Sequence, residues 1–220
     1  MKQSIEHLAA TLRPVVTATL AGRSPAHDLL HVERVVALAE RITLTEPRCD
    51  VAVVVAAAWL HEQVNLPKGH PQSVESGTLC AQAAECQLLA LAFSSEFAAR
   101  VALCIAEHAY SKGATATSWE SCILQDADRL DAIGALGIAR CFATASDMQR
   151  PFYHRNDPRA ELRDLDDKQF AIDHFARKLL RLRDGFHTAC ARELAQERHA
   201  VLEAFLTAFY REIAESSSSR

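Results

Sequence analysis

The stretch ILQDADRLDAIGALGIAR, residues 123–140, sets three aspartates, Asp126, Asp128 and Asp131, within six residues of one another. Ile123, Leu124, Leu130, Ile133 and Leu136 flank them at helical spacing, so the segment is expected to dock in a core as helix. On such a helix Asp128 and Asp131 share a face, and Asp126 lies well round from it. Carboxylates this close repel unless a metal or an arginine offsets them. Arg129 can pair with one of the three, but hardly with all.

The same spacing extends outward through nearly the whole chain, as in Val32, Val35, Val36, Ala39 and Ile42, and only seven glycines and seven prolines punctuate it. The expected fold is therefore all-α. Helices are expected at 3–20, 26–44, 50–62, 72–90, 95–110, 119–127, 128–145, 168–188 and 191–214. A chain of 220 residues can bury a substantial core, and the expected organisation is one compact domain over 1–215, followed by a disordered serine-rich tail at 216–220. Two polar, turn-rich interruptions stand out, 65–73 and 146–169. The second has the length of a functional lid.

Composition narrows the class of partner. Charged residues make up 24% of the chain and the net charge is −4, so no basic stripe points to a nucleic-acid polymer. The longest apolar run, VAVVVAAAWL at 51–60, is too short for a membrane span, and MKQSIEHLAATLRPVV has no signal-peptide apolar region. The expected location is cytoplasmic. Seven scattered cysteines, none in a C-x-x-C pair, read as buried free thiols.

Three further segments carry groups able to do chemistry. In HDLLHVERVV, 27–36, Asp28, His31 and Arg34 lie along one helical face, where Asp28 can accept the second ring N–H of His31. In AAAWLHEQVN, 56–65, His61 and Glu62 follow an apolar run directly. They are either the polar edge of a helix end or a pair turned together toward a cation, which would remove the cost of burying the carboxylate. In IAEHAYSKG, 105–113, His108 closes another apolar helix, a position where a cap or core histidine is ordinary.

A histidine, then a histidine followed at once by an acid, then a distant aspartate within DADRLD, resembles the pattern of the HD-domain metal-dependent phosphohydrolases. LQDADRLDAIGALGIAR together with LDDKQFAIDHFARKLLRL, 165–182, is similar to the compact bacterial branch typified by the YedJ and YpgQ proteins. The resemblance covers nearly the whole chain and implies a helical HD-domain bundle holding a divalent cation, Mn, Mg, Co, Ni, Fe or Zn. It implies His31, His61, Glu62 and Asp128 as metal ligands, with Lys68 and Arg129 as phosphate contacts. The family carries His-Asp where this chain has His61-Glu62. Glutamate keeps the charge and the oxygen donors but adds one methylene.

The implied activity is hydrolysis of a phosphate ester or anhydride, most concretely pyrophosphate release from a nucleoside triphosphate. Asp131 or Asp126 would orient the attacking water and His108 would protonate the leaving group. Tyr153 and Arg163, with neighbours in the long loop, would close over the substrate. The expected partner is a small phosphorylated molecule, a nucleotide above all, and a homodimer stays open. Two rivals remain: a degenerate domain that binds a nucleotide or metal without turnover, and a buried ion-pair network among Asp28, His31, Glu62, Asp128, Arg34 and Arg129.

Overall fold

The computed structural model describes residues 5–64, 75–108 and 115–217. Within them the ordered elements are helical: α1 (Ile5–Thr19), α2 (Leu29–Thr43), α3 (Val51–Leu60), α4 (Ser76–Ala90), α5 (Ser95–Glu107), α6 (Trp119–Asp131), α7 (Gly134–Asp147), α8 (Asp173–Arg177), a 3₁₀ segment Leu179–Gly185, and α9 (Ala189–Ser217). Packing gathers the chain into two compact units, Met1–Arg129 and Leu130–Arg220.

The first unit is organised around α3. Every residue from Val53 to Leu60 is buried, so this helix is apolar all round, as a central helix must be. It packs against α1, α2 and α5, and α4 packs on α5. Its start is fixed by polar bonds. The Asp50 side chain caps the Ala52 N–H at 3.1 Å, and Glu120 of α6 accepts the Asp50 N–H at 2.9 Å. Arg100 of α5 then donates to both Asp50 (2.9 Å) and Glu120 (3.1 Å), joining the starts of α3 and α6 through α5. With its start pinned and its flanks buried, α3 delivers the residue that caps its C-terminus, His61, at a fixed place.

The second unit packs α7 on α9, with the 3₁₀ segment against α8 and α9. Phe142, Phe175, Phe205 and Phe209 interleave there, Phe175 stacking on Phe205 with centroids 5.6 Å apart.

Two boundaries differ from the sequence expectation. The break expected at 127/128 falls between Asp131 and Gly134, because Ile133 is extended and Gly134 takes φ +77°, a left-handed value that favours glycine. The helix expected over 168–188 is a short α8 followed by the 3₁₀ segment. Its first residues bond elsewhere: the Ala171 N–H donates to the Pro151 carbonyl (3.1 Å) and the Ile172 N–H to the Phe152 carbonyl (2.9 Å), leaving no helical ladder there.

Candidate metal centre

α2 begins at its cap Asp28, whose Oδ1 accepts the backbone N–H of His31 at 2.9 Å. Asp28 thus fixes His31 through the start of the helix. The His31 side chain is fully buried. His61 caps the C-terminus of α3, and its Nδ1 lies 2.7 Å from the Ala58 carbonyl. That bond requires the hydrogen on Nδ1, which leaves Nε2 of the neutral ring with a bare lone pair. This lone pair faces Nε2 of His31 at 3.3 Å. The buried Cys80 thiol donates to the His61 carbonyl at 3.0 Å and holds the turn from behind. Burial pushes that thiol up to about 11, so it stays a neutral donor.

Two carboxylates complete the cluster. Asp128 Oδ1 lies 3.6 Å from His31 Nε2, and Glu62 Oε1 lies 3.7 Å from the same nitrogen. Glu62 is held by groups that the sequence reading passed over. His27 Nδ1 lies 2.9 Å from Glu62 Oε1, while Arg23 donates to the carbonyls of Glu62 (2.7 Å) and Gln63 (3.0 Å). His27 and Arg23 precede α2 and meet Glu62 from 35 and 39 residues away, so no helical spacing could have signalled them.

The electrostatics follow from burial and proximity. Burial, then the neighbouring His31, lowers the His61 imidazole to about 4 and keeps it neutral at physiological pH. Burial alone would raise Glu62, but His27, bonded to it at 2.9 Å, and the neighbouring His31 hold its carboxylate well below the ordinary value, so it is an ionised acceptor. His27 Nδ1 is then the donor in their bond.

Imidazole nitrogens and carboxylate oxygens converge here, and they fit a divalent cation. A four-coordinate ion with bonds of about 2.1 Å separates its ligand atoms by about 3.4 Å. His31, His61 and Asp128 offer ligand atoms all within 4.8 Å of one another, and so do His27, His31 and Glu62. The donor set, imidazole with carboxylate, suits Mn, Fe, Co, Ni or Zn.

The other sequence candidates fall in different surroundings. The His108 ring packs 5.5 Å from that of His61, and its Nδ1 lies 2.5 Å from the Ile105 carbonyl, repeating at the end of α5 the arrangement of His61 on α3. Asp126 is fully buried on α6. Arg129 is buried and donates to Gln125 at 2.6 Å, and Gln125 in turn donates to the Glu107 carbonyl at 2.6 Å. Asp131, in the second unit, is engaged by Arg140 at 2.9 Å. Tyr153 packs its ring edge-on to Phe209, with centroids 5.7 Å apart. Arg163 binds Asp173 through two N–H groups, at 2.5 and 2.8 Å, and its guanidinium sits over Phe170. Lys68 lies outside the described residues.

The model of the HD domain matches residues 29–133, which hold His31, His61, Glu62 and Asp128. The protein YpgQ of Bacillus subtilis is 35% identical over 209 residues, 93% of each chain. A crystal structure of Bacillus subtilis YpgQ in complex with ADP superposes with a TM-score of 0.70 at 34% identity, covering 93% of this chain and 97% of that one. An HD-superfamily hydrolase from Bacillus thuringiensis superposes with a TM-score of 0.71 at 27% identity, over 95% of this chain and 98% of its own. Among the described residues no helix is long and apolar enough to cross a membrane.

Proposed function

The chain belongs to the HD-domain family, and from that premise we propose that it is a divalent-metal-dependent phosphohydrolase whose substrate is a nucleotide. The observation that carries this reading is the facing of His31 and His61 through their Nε2 atoms at 3.3 Å, with Asp128 and Glu62 alongside. The His61 Nε2 lone pair and two carboxylates are drawn together in a largely buried cluster, and a shared cation offsets the cost of burying them. His31, His61, Asp128 and Glu62 would hold the ion. When bound, it supplies Lewis acidity that makes water nucleophilic near neutral pH and offsets phosphoryl charge.

The chain's own residues do the rest. Ala58 orients His61 by accepting its Nδ1 hydrogen, and Asp28 orients His31 through the start of α2. His108, beside His61 with its Nδ1 occupied by a carbonyl, has its Nε2 available to carry a proton to the leaving group. Asp128 is the aspartate of DADRLD assigned to the ion. Asp126 and Asp131 stabilise the helix and its neighbours, Asp131 through Arg140. Arg129 is assigned to the α5–α6 framework, since its guanidinium holds Gln125.

The nucleotide substrate is supported by the ADP complex of YpgQ. Pyrophosphate release from a nucleoside triphosphate is the specific activity proposed. Its test is incubation with each common nucleoside triphosphate and Mn²⁺, separating phosphate from pyrophosphate and using Asp128→Asn as the control. Pyrophosphate from wild type and none from the variant is the expected result. Tight nucleotide or metal binding without release of either product would instead assign the chain a binding role.

A further inference from the structure

Resting on the metal-dependent reading above, we infer that His27 is a positioning residue matched to the glutamate at position 62, aiming its longer side chain at the centre. Glu62 hangs from backbone that Arg23 fixes by two carbonyl bonds, and the turn that carries Arg23 also carries His27. The His27 N–H donates to the Ser24 carbonyl at 2.8 Å, so the turn is itself tied. The Glu62 oxygen that accepts from His27 at 2.9 Å is also the one lying 3.7 Å from His31 Nε2. One bond therefore selects both the oxygen and its direction. A nitrogen that donates its hydrogen has no lone pair for a cation, so His27 acts through Glu62.

The match to glutamate is a matter of reach. Glutamate carries one more freely rotating bond than aspartate, and a partner is needed to hold it in one rotamer. An aspartate on the same fixed backbone would withdraw its oxygen by about 1.5 Å. That takes a 2.9 Å contact outside the range of an N–H···O bond. His27 thus counts only when residue 62 is glutamate. Its side chain is 37% exposed, so truncating it opens no core cavity.

The test is Mn²⁺ titration of the metal-free protein by calorimetry, for wild type, His27→Ala, Glu62→Asp and the double variant. His27→Ala weakens Mn²⁺ binding by about 10- to 100-fold in the Glu62 chain, the usual range for a partner that orients a ligand. In the Glu62→Asp chain the same change moves affinity by less than about twofold. His27→Asn, which returns an N–H near the position of Nδ1, restores most of the loss. Electron spin-echo modulation of bound Mn²⁺ counts two coordinated imidazoles in both wild type and His27→Ala. Three imidazoles in wild type, or equal losses in the two backgrounds, would overturn the inference alone. Absence of Mn²⁺ binding in every chain would overturn it together with the metal-dependent reading.

Discussion

His31 with His61 in the first unit and Arg163 with Asp173 in the second are both polar pairs taken largely out of water, and their hydrogens are arranged oppositely. Arg163 presents two N–H groups to the two oxygens of Asp173, and the Asp166 N–H adds a third donor at 2.7 Å. Donors meet acceptors, and the pair is complete as it stands. At His31 and His61, the His61 lone pair, the His31 ring and two carboxylates meet around one small volume, with the His61 hydrogen turned away to Ala58. A cluster in which acceptors outnumber donors calls for a cation; a cluster of matched donors and acceptors calls for nothing more. This contrast separates a candidate site from a structural cross-link when both are built from the same residue types.

The contrast can be broken by substitution. The largest effect is expected from His31→Gln, which keeps the side chain's size but removes the nitrogen shared by both candidate ligand groups. Mn²⁺ affinity should fall by more than about 100-fold, read by calorimetric titration, since removing a ligand exceeds the usual cost of removing its partner. Retained affinity would place the ion elsewhere.

Acid comes next. The folded-state pKa of His61 is lowered from 6.5 to about 4, so below pH 6.5 the unfolded chain takes up a proton that the folded chain refuses. Stability of the metal-free protein attributable to His61 is therefore full above pH 6.5 and declines as pH falls toward about 4, by about 3 kcal/mol in total. Urea unfolding of wild type and His61→Gln across this range should show wild type losing that much more than the variant. Parallel curves would mean that His61 is not held neutral by the fold. Glu62, whose pKa is also lowered, acts in the same direction: its contribution is lost as acid protonates it.

A smaller effect is expected in the second unit. Asp173→Asn leaves Arg163 without its carboxylate and should destabilise the fold by about 2 kcal/mol, below the range for a fully buried pair because Arg163 keeps some exposure. Mn²⁺ affinity should not change. A loss of affinity would mean that the long loop communicates with the centre.

Much of the fold and of the centre was legible in the chain. The apolar spacing gave an all-helical fold, and His31, His61, Glu62 and Asp128 do meet, because each sits where a helix begins, ends or faces the core. What escaped the reading was tertiary. His27 lies just before the α2 cap, outside any periodic pattern, and meets a residue 35 positions away. The segment 165–182 has helical spacing, but its amide groups at Ala171 and Ile172 bond to the loop at Pro151 and Phe152. The loop expected as a lid is cross-linked within itself, with Asp157 accepting the N–H groups of Glu161 and Leu162 at 2.9 Å each. Propensity is local, and these outcomes were decided by partners distant in sequence.

The central claim is that His31, His61, Asp128 and Glu62 come together to hold one divalent cation. Elemental mass spectrometry of the purified protein, run beside His31→Gln, tests it most directly. About one transition-metal ion per chain in wild type and none in the variant is the expected result. Wild type and variant with equally negligible metal, even after incubation with Mn²⁺, would contradict the claim and leave the facing histidines as a feature of the core.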